Sequence, residues 1–162
     1  TSVVHNGEIS SYDANRREIE MYGYKCTLLT DTEVIAYIID YLVRKKGLTL
    51  KETSHVIAAP FWSTINRMNE EERDEYTYLR NTFSSLLVTG PFSIIVGFNG
   101  GLMALNDRLK LRSLVCAEKD DYFYCASEEI AIRAIESELD RVWHPRGGEA
   151  VIVTLEDKID GN

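Results

Sequence analysis

Apolar positions recur along this chain in two rhythms, helical in the first half and extended in much of the second. After a short strand-like run, Ser2–His5, the spacing predicts a helix over Asp13–Tyr22, with Asp13 as N-cap and Gly23 at its end. Tyr24–Leu28 reads as another strand. The clearest helical pattern follows over Asp31–Lys46, where Val34, Ile35, Ile38, Ile39 and Leu42 fall on one face and Gly47 supplies the stop. Thr30 and Glu33 have capping-box spacing at its start, and Thr49 and Glu52 repeat it before a shorter helix ending near Ile57. An acidic, solvated segment, Asn69–Glu75, leads into a helix drawn as far as Leu87, with Gly90-Pro91 ending it.

From Phe92 onward the runs are short and β-type: Phe92–Phe98, Leu102–Leu105, Leu114–Glu118 and Tyr122–Ala126, separated by turn residues. Ser127 is placed as the cap of a helix reaching about Glu138, and Ala150–Leu155 as a late strand. Elements in this order suggest a layered α+β domain rather than a βαβ array. At 162 residues, 44% of them hydrophobic, the chain reads as one globular domain over residues 1–162.

Charge narrows the partners. A formal net charge of -8, with no basic cluster larger than Arg44-Lys45-Lys46, argues against nucleic acid or an anionic membrane and leaves a small neutral or zwitterionic ligand. The longest apolar stretch, Val34–Val43, is interrupted by Asp40 and is too short for a spanning helix. Cys26, Cys116 and Cys125 have no metal-type spacing and are odd in number, which points to a reducing, cytoplasmic setting, and Cys26 and Cys125, among apolar or small residues, read as buried structural thiols. His55 and His144 lack partners at metal or triad spacing, so no metal site is expected. Phe61 and Trp62 could plug a local gap or cover a pocket.

Asn-Gly occurs twice. Asn99-Gly100 lies between two extended runs and reads as a hairpin turn with no function assigned. Asn6-Gly7 follows a strand but precedes a helix-like segment, so the hairpin explanation lacks its second strand. An Asn amide and a Gly N–H can converge on the oxygen of a carbonyl under attack, although for these six residues alone a simple loop turn is the better account. Asp31 poses the same choice: the helix dipole alone explains a carboxylate in a first turn, and pairing with an ammonium group is the alternative.

Taken together and in order, HNGEI and TDTE resemble the class II glutamine amidotransferase domain, an N-terminal-nucleophile hydrolase. GPFSIIV, NDRLKLRSL and CASEEIAI resemble three further segments of that family, so the likeness runs from Val3 to about Leu155. The HNGEI ending and the length between the two halves look most like the glutaminase domain of glutamate synthase. The resemblance implies a four-layer αββα sandwich lacking its N-terminal portion. It implies that Asn6 and Gly7 form an oxyanion hole and that Asp31 receives the α-ammonium of L-glutamine, with His5, Asp107, Arg108 and Arg112 as possible support.

The implied reaction releases glutamate and ammonia, the latter consumed by a synthase domain or subunit. In glutamate synthase that partner carries FMN and an iron-sulfur cluster, and no cofactor is expected on this chain. The family nucleophile is an N-terminal Cys on a segment preceding HNG, which supplies the base through its own α-amino group. The chain alone is therefore expected to be inactive. Thr1 is set aside as a substitute because this strand is internal in the family. Asn106, Lys110 and Ser113 stand where Arg, Gly and Pro are usual, and a structural ion pair would explain Asp107, Arg108 and Arg112 equally well. Two further readings stay open: a non-catalytic interaction or regulatory module on the same scaffold, and the amidotransferase domain of a phosphosugar-using synthase.

Overall fold

The computed structural model describes residues 1–155, which divide into two compact units. One unit joins Thr1–Gly7 to the chain from Pro91 onward, and the other is the intervening Glu8–Gly90.

The first unit is built from antiparallel sheets. β1 (Ser2–Gly7), β2 (Phe92–Phe98), β3 (Gly101–Asn106) and β7 (Val151–Thr154) form a four-stranded sheet in that order. A second sheet has the order β5-β4-β6, with β4 at Val115–Lys119, β5 at Tyr122–Ala126 and β6 at Arg141–Trp143. Phe92, Ile94, Val96, Met103, Ala104 and Leu105 are buried on β2 and β3. On the second sheet Val115 and Ala117 pack with Ile132 of the short helix α6, Glu129–Arg133. β6 is too short, and too polar at Arg141, to give a periodic signal. The helix expected to reach Glu138 stops at Arg133, and its N-cap is Glu128 rather than Ser127.

The second unit is helical: α1 (Tyr12–Met21), α2 (Asp31–Asp40), α3 (Leu50–Ile57), α4 (Trp62–Ile65) and α5 (Glu70–Thr82). Val34, Ile35, Ile38, Ile39 and Leu42 are all buried, as their spacing predicts. α2 passes into a π-type turn at Tyr41–Lys45 before Gly47, whose φ is +73°. The Thr49 capping box is present: its hydroxyl accepts from Glu52 N at 3.1 Å, while the Glu52 carboxylate accepts from Thr49 N at 2.7 Å.

Five details differ from the sequence pattern. Ser11, not Asp13, is the N-cap of α1. Thr30 caps α2 by accepting from Glu33 N at 3.3 Å, but the Glu33 side chain does not complete a box. Its carboxylate instead accepts from Thr27 N and Leu28 N at 2.9 and 2.8 Å. Those donors are the ones a Tyr24–Leu28 strand would spend on a neighbour, so that segment is a coil held by a buried carboxylate. The acidic Glu70–Glu72 run is not a lead-in; it forms the first turn of α5, where Asn69 accepts from Glu72 N and the helix dipole favours negative charge. α5 ends at Thr82, before a 3-10 turn at Ser84–Leu86, so Gly90-Pro91 does not terminate it.

Candidate active site

The last two residues of β1 are Asn6 and Gly7, paired in register with Ser93 and Phe92 of β2. The partner strand lies far along the chain, so Asn6-Gly7 is not a hairpin turn. Gly7 has φ +143°, and a Cβ placed there would sit 2.0 Å from the Pro91 carbonyl oxygen and 2.9 Å from Phe92 Cα. No side chain fits, so glycine is required by both conformation and space.

The Asn6 side chain is exposed but not loose. Its Nδ2 donates to Ser127 Oγ at 2.8 Å, and the Ser127 carbonyl accepts from Ser113 Oγ at 2.7 Å. Ser127 thus serves as an anchor for Asn6 rather than a helix cap, and Ser113, at the family's usual proline position, reinforces it. A primary amide carries two N–H donors, so the bond to Ser127 orients Asn6 while leaving a second donor for a ligand oxygen.

Asp107 holds Phe92, the residue paired with Gly7 at the same strand end. It is 3% exposed, and its carboxylate accepts from the backbone N–H of Phe92, Leu109, Leu111 and Arg112 at 3.0–3.3 Å. The charge of Asp107 is satisfied by the backbone, which folds the 107–112 loop around it. Asp107 N also donates to Phe92 O at 2.8 Å, so the loop and the strand opposite Gly7 are tied twice. Arg108 is half-buried and Arg112 exposed. Lys110, at a position where glycine is usual, has φ +55°, which explains the usual residue. His5, half-buried on β1, pairs in register with Ile94.

Asp31 lies in the helical unit, as the first residue of α2. Its Oδ2 accepts from Ile9 N at 2.8 Å, so the carboxylate has a structural role besides its place at the helix N-terminus. The first unit therefore gathers Asn6, Gly7 and Asp107 about the start of β2, with His5 on the same strand, while Asp31 belongs to the second. Sequence reasoning missed Ser127 as the anchor; the ASE motif marked its position but not its partner. Among the described residues, no group of three His, Cys, Asp or Glu side chains is placed to hold a metal ion. No helix among them is long and apolar enough to cross a membrane.

No family model matches the chain. An uncharacterised protein of Archaeoglobus fulgidus is 48% identical over 157 residues, covering 97% of this chain and 42% of that protein. An amidophosphoribosyltransferase of Methanocaldococcus jannaschii is 30% identical over 85% of this chain and 23% of its own length. The chain thus spans less than half the length of the curated relatives it matches. The solved glutamine phosphoribosylpyrophosphate amidotransferase from B. subtilis, complexed with ADP and GMP, superposes with a TM-score of 0.60 at 18% identity. That superposition covers 95% of this chain and 27% of the other, and it shows the α+β fold of the N-terminal-nucleophile hydrolases. With HNG, TDTE, DR and ASE in order and this fold beneath them, the chain belongs to the class II glutamine amidotransferase family.

Proposed function

We propose that this chain is the glutaminase part of a larger amidotransferase, taking L-glutamine to glutamate and ammonia in the cytoplasm for a synthase domain or subunit. The observation that carries the reading is Asn6: its amide is fixed by Ser127 at a strand end that Gly7 lets close against the Pro91 and Phe92 backbone. In this reading a nucleophile attacks the glutamine carboxamide carbon, and the Asn6 N–H and Gly7 N–H donate to the oxygen as it becomes an oxyanion. Ammonia leaves, and water then releases glutamate from the acyl intermediate. Asp31 receives the α-ammonium group, while Asp107 positions the strand opposite Gly7.

Cys26, Cys116 and Cys125 are internal and have no α-amino group to act as base. The nucleophile is therefore taken to be the family's N-terminal cysteine, outside these 162 residues, and this chain alone to be inactive. For the acceptor, the amidophosphoribosyltransferase relative favours a phosphosugar-using synthase. The HNGEI ending favours glutamate synthase, whose FMN and iron-sulfur cluster would lie on another domain.

The test is glutamate release from glutamine, measured for this chain and for the chain joined to the coding sequence upstream of Thr1. Activity confined to the longer form supports the reading. Activity in neither form moves the assignment to a non-catalytic module, and activity in the short chain places the nucleophile within it.

A further inference from the structure

Cys116 on β4 and Cys125 on β5 stand opposite one another in the antiparallel register, with their sulfurs 3.9 Å apart and no bond between them. Residues directly opposed on antiparallel strands have Cα atoms about 4.5–5.5 Å apart, and a disulfide spans roughly 4.4–6.8 Å between Cα atoms. The strands need not move apart or slip in register for the sulfurs to join; side-chain rotation closes the gap.

Access and chemistry divide the roles. Cys116 is fully buried, whereas Cys125 is half-buried and faces an oxidant first. The Cys116 S–H donates to the Cys125 sulfur. That hydrogen bond holds the Cys125 thiol below its ordinary pKa, while it and burial push Cys116 up. The arrangement therefore has an attacking thiol at the more accessible position and a resolving thiol behind it.

We infer that Cys116 and Cys125 form a modification site in which a hydroperoxide closes a cross-strand disulfide within the β5-β4-β6 sheet. The Cys125 thiolate attacks the peroxide O–O bond, giving a sulfenic acid and, from hydrogen peroxide, one water. The Cys116 sulfur then attacks the Cys125 sulfur, displacing the hydroxyl as a second water. Two thiols are oxidised by two electrons, one peroxide is reduced, and both thiol protons end in water. Cys125 is two residues from Ser127, the anchor of Asn6, so the cross-link would stiffen the strand that leads into the candidate site. The chemistry stands whether or not the chain serves a glutaminase.

The test is brief exposure of the folded chain to hydrogen peroxide, followed by denaturation, alkylation and peptide mapping. The expected result is loss of two of the three alkylatable thiols, a mass lower by two hydrogens, and a Cys116–Cys125 linked peptide that reductant cleaves, with Cys26 still alkylated. In Cys116→Ser, Cys125 should stop at a sulfenic acid trapped by dimedone, and Cys125→Ser should leave Cys116 alkylatable. Three thiols still alkylatable, a sulfinic acid on Cys125 beside an alkylated Cys116, or a link between two copies would each overturn the assignment.

Discussion

The same dipeptide occurs at two strand ends of the first unit, and its two settings ask different things of it. Asn99-Gly100 joins β2 to β3, with Phe98 paired to Gly101. Gly100 takes φ +86°, and a Cβ there would meet nothing within 4 Å. Asn6-Gly7 ends a strand whose partner comes from far along the chain, and its glycine is walled in by Pro91 and Phe92 backbone. The first pair needs glycine for a turn. The second needs it for its backbone conformation and for space, and it holds its asparagine through a hydrogen bond across 121 residues of sequence. A dipeptide motif is thus informative only with its surroundings.

Alanine at the two glycines should break the comparison most visibly. Gly7→Ala combines left-handed strain with a backbone overlap that no rotamer relieves, and it should cost about 4 kcal/mol of unfolding free energy. Gly100→Ala carries only the conformational strain, about 1 kcal/mol. Urea denaturation of both variants would measure the gap, and equal losses would show that the close approach at Gly7 is not maintained.

Activity should separate the asparagines. In a form of the protein that hydrolyses glutamine, Asn6→Ala should lower kcat on the order of a hundredfold, about 3 kcal/mol of barrier. Asn99→Ala should leave kcat unchanged. A smaller loss of about tenfold is expected for Ser127→Ala, which keeps both Asn6 donors but removes the group that aims them, equivalent to roughly 1.4 kcal/mol. If Ser127→Ala were silent while Asn6→Ala was not, the hydrogen bond between them would have no part in orientation.

What could be read from the sequence follows from the range of the interactions. The Thr49 capping box, the apolar face of α2 and the Asn99-Gly100 hairpin depend on neighbours a few positions away, and their residue types declare them. Tyr24–Leu28 has a strand's composition, but its donors go to Glu33, a choice made by tertiary position rather than by local pattern. β6 has too few residues to show a period. For the site, the HNG motif located Asn6 and Gly7, yet Ser127 is brought to Asn6 only by folding, and the donors around Asp107, three of them in its own loop, are backbone N–H groups that no residue type declares.

Asp107 and Lys110 mark the smaller effects, and they act on one loop in opposite directions. Asp107→Asn replaces an acceptor-only carboxylate by an amide with one acceptor oxygen and an NH2 group. That group would face backbone donors in a buried setting, so a loss of about 2 kcal/mol is expected. Lys110 is exposed, and its φ of +55° places an L side chain in a conformation that disfavours it. Lys110→Gly removes that strain, about 1–2 kcal/mol, but adds the backbone freedom of glycine to the unfolded chain, roughly 0.5–1 kcal/mol. The two terms leave a net stabilisation of about 0–1.5 kcal/mol, visible as a higher urea midpoint at unchanged slope. A lower midpoint would mean that the Lys110 side chain makes a contribution larger than the strain it imposes. The Asp107 loop would then be held in part by the residue that departs from the family pattern.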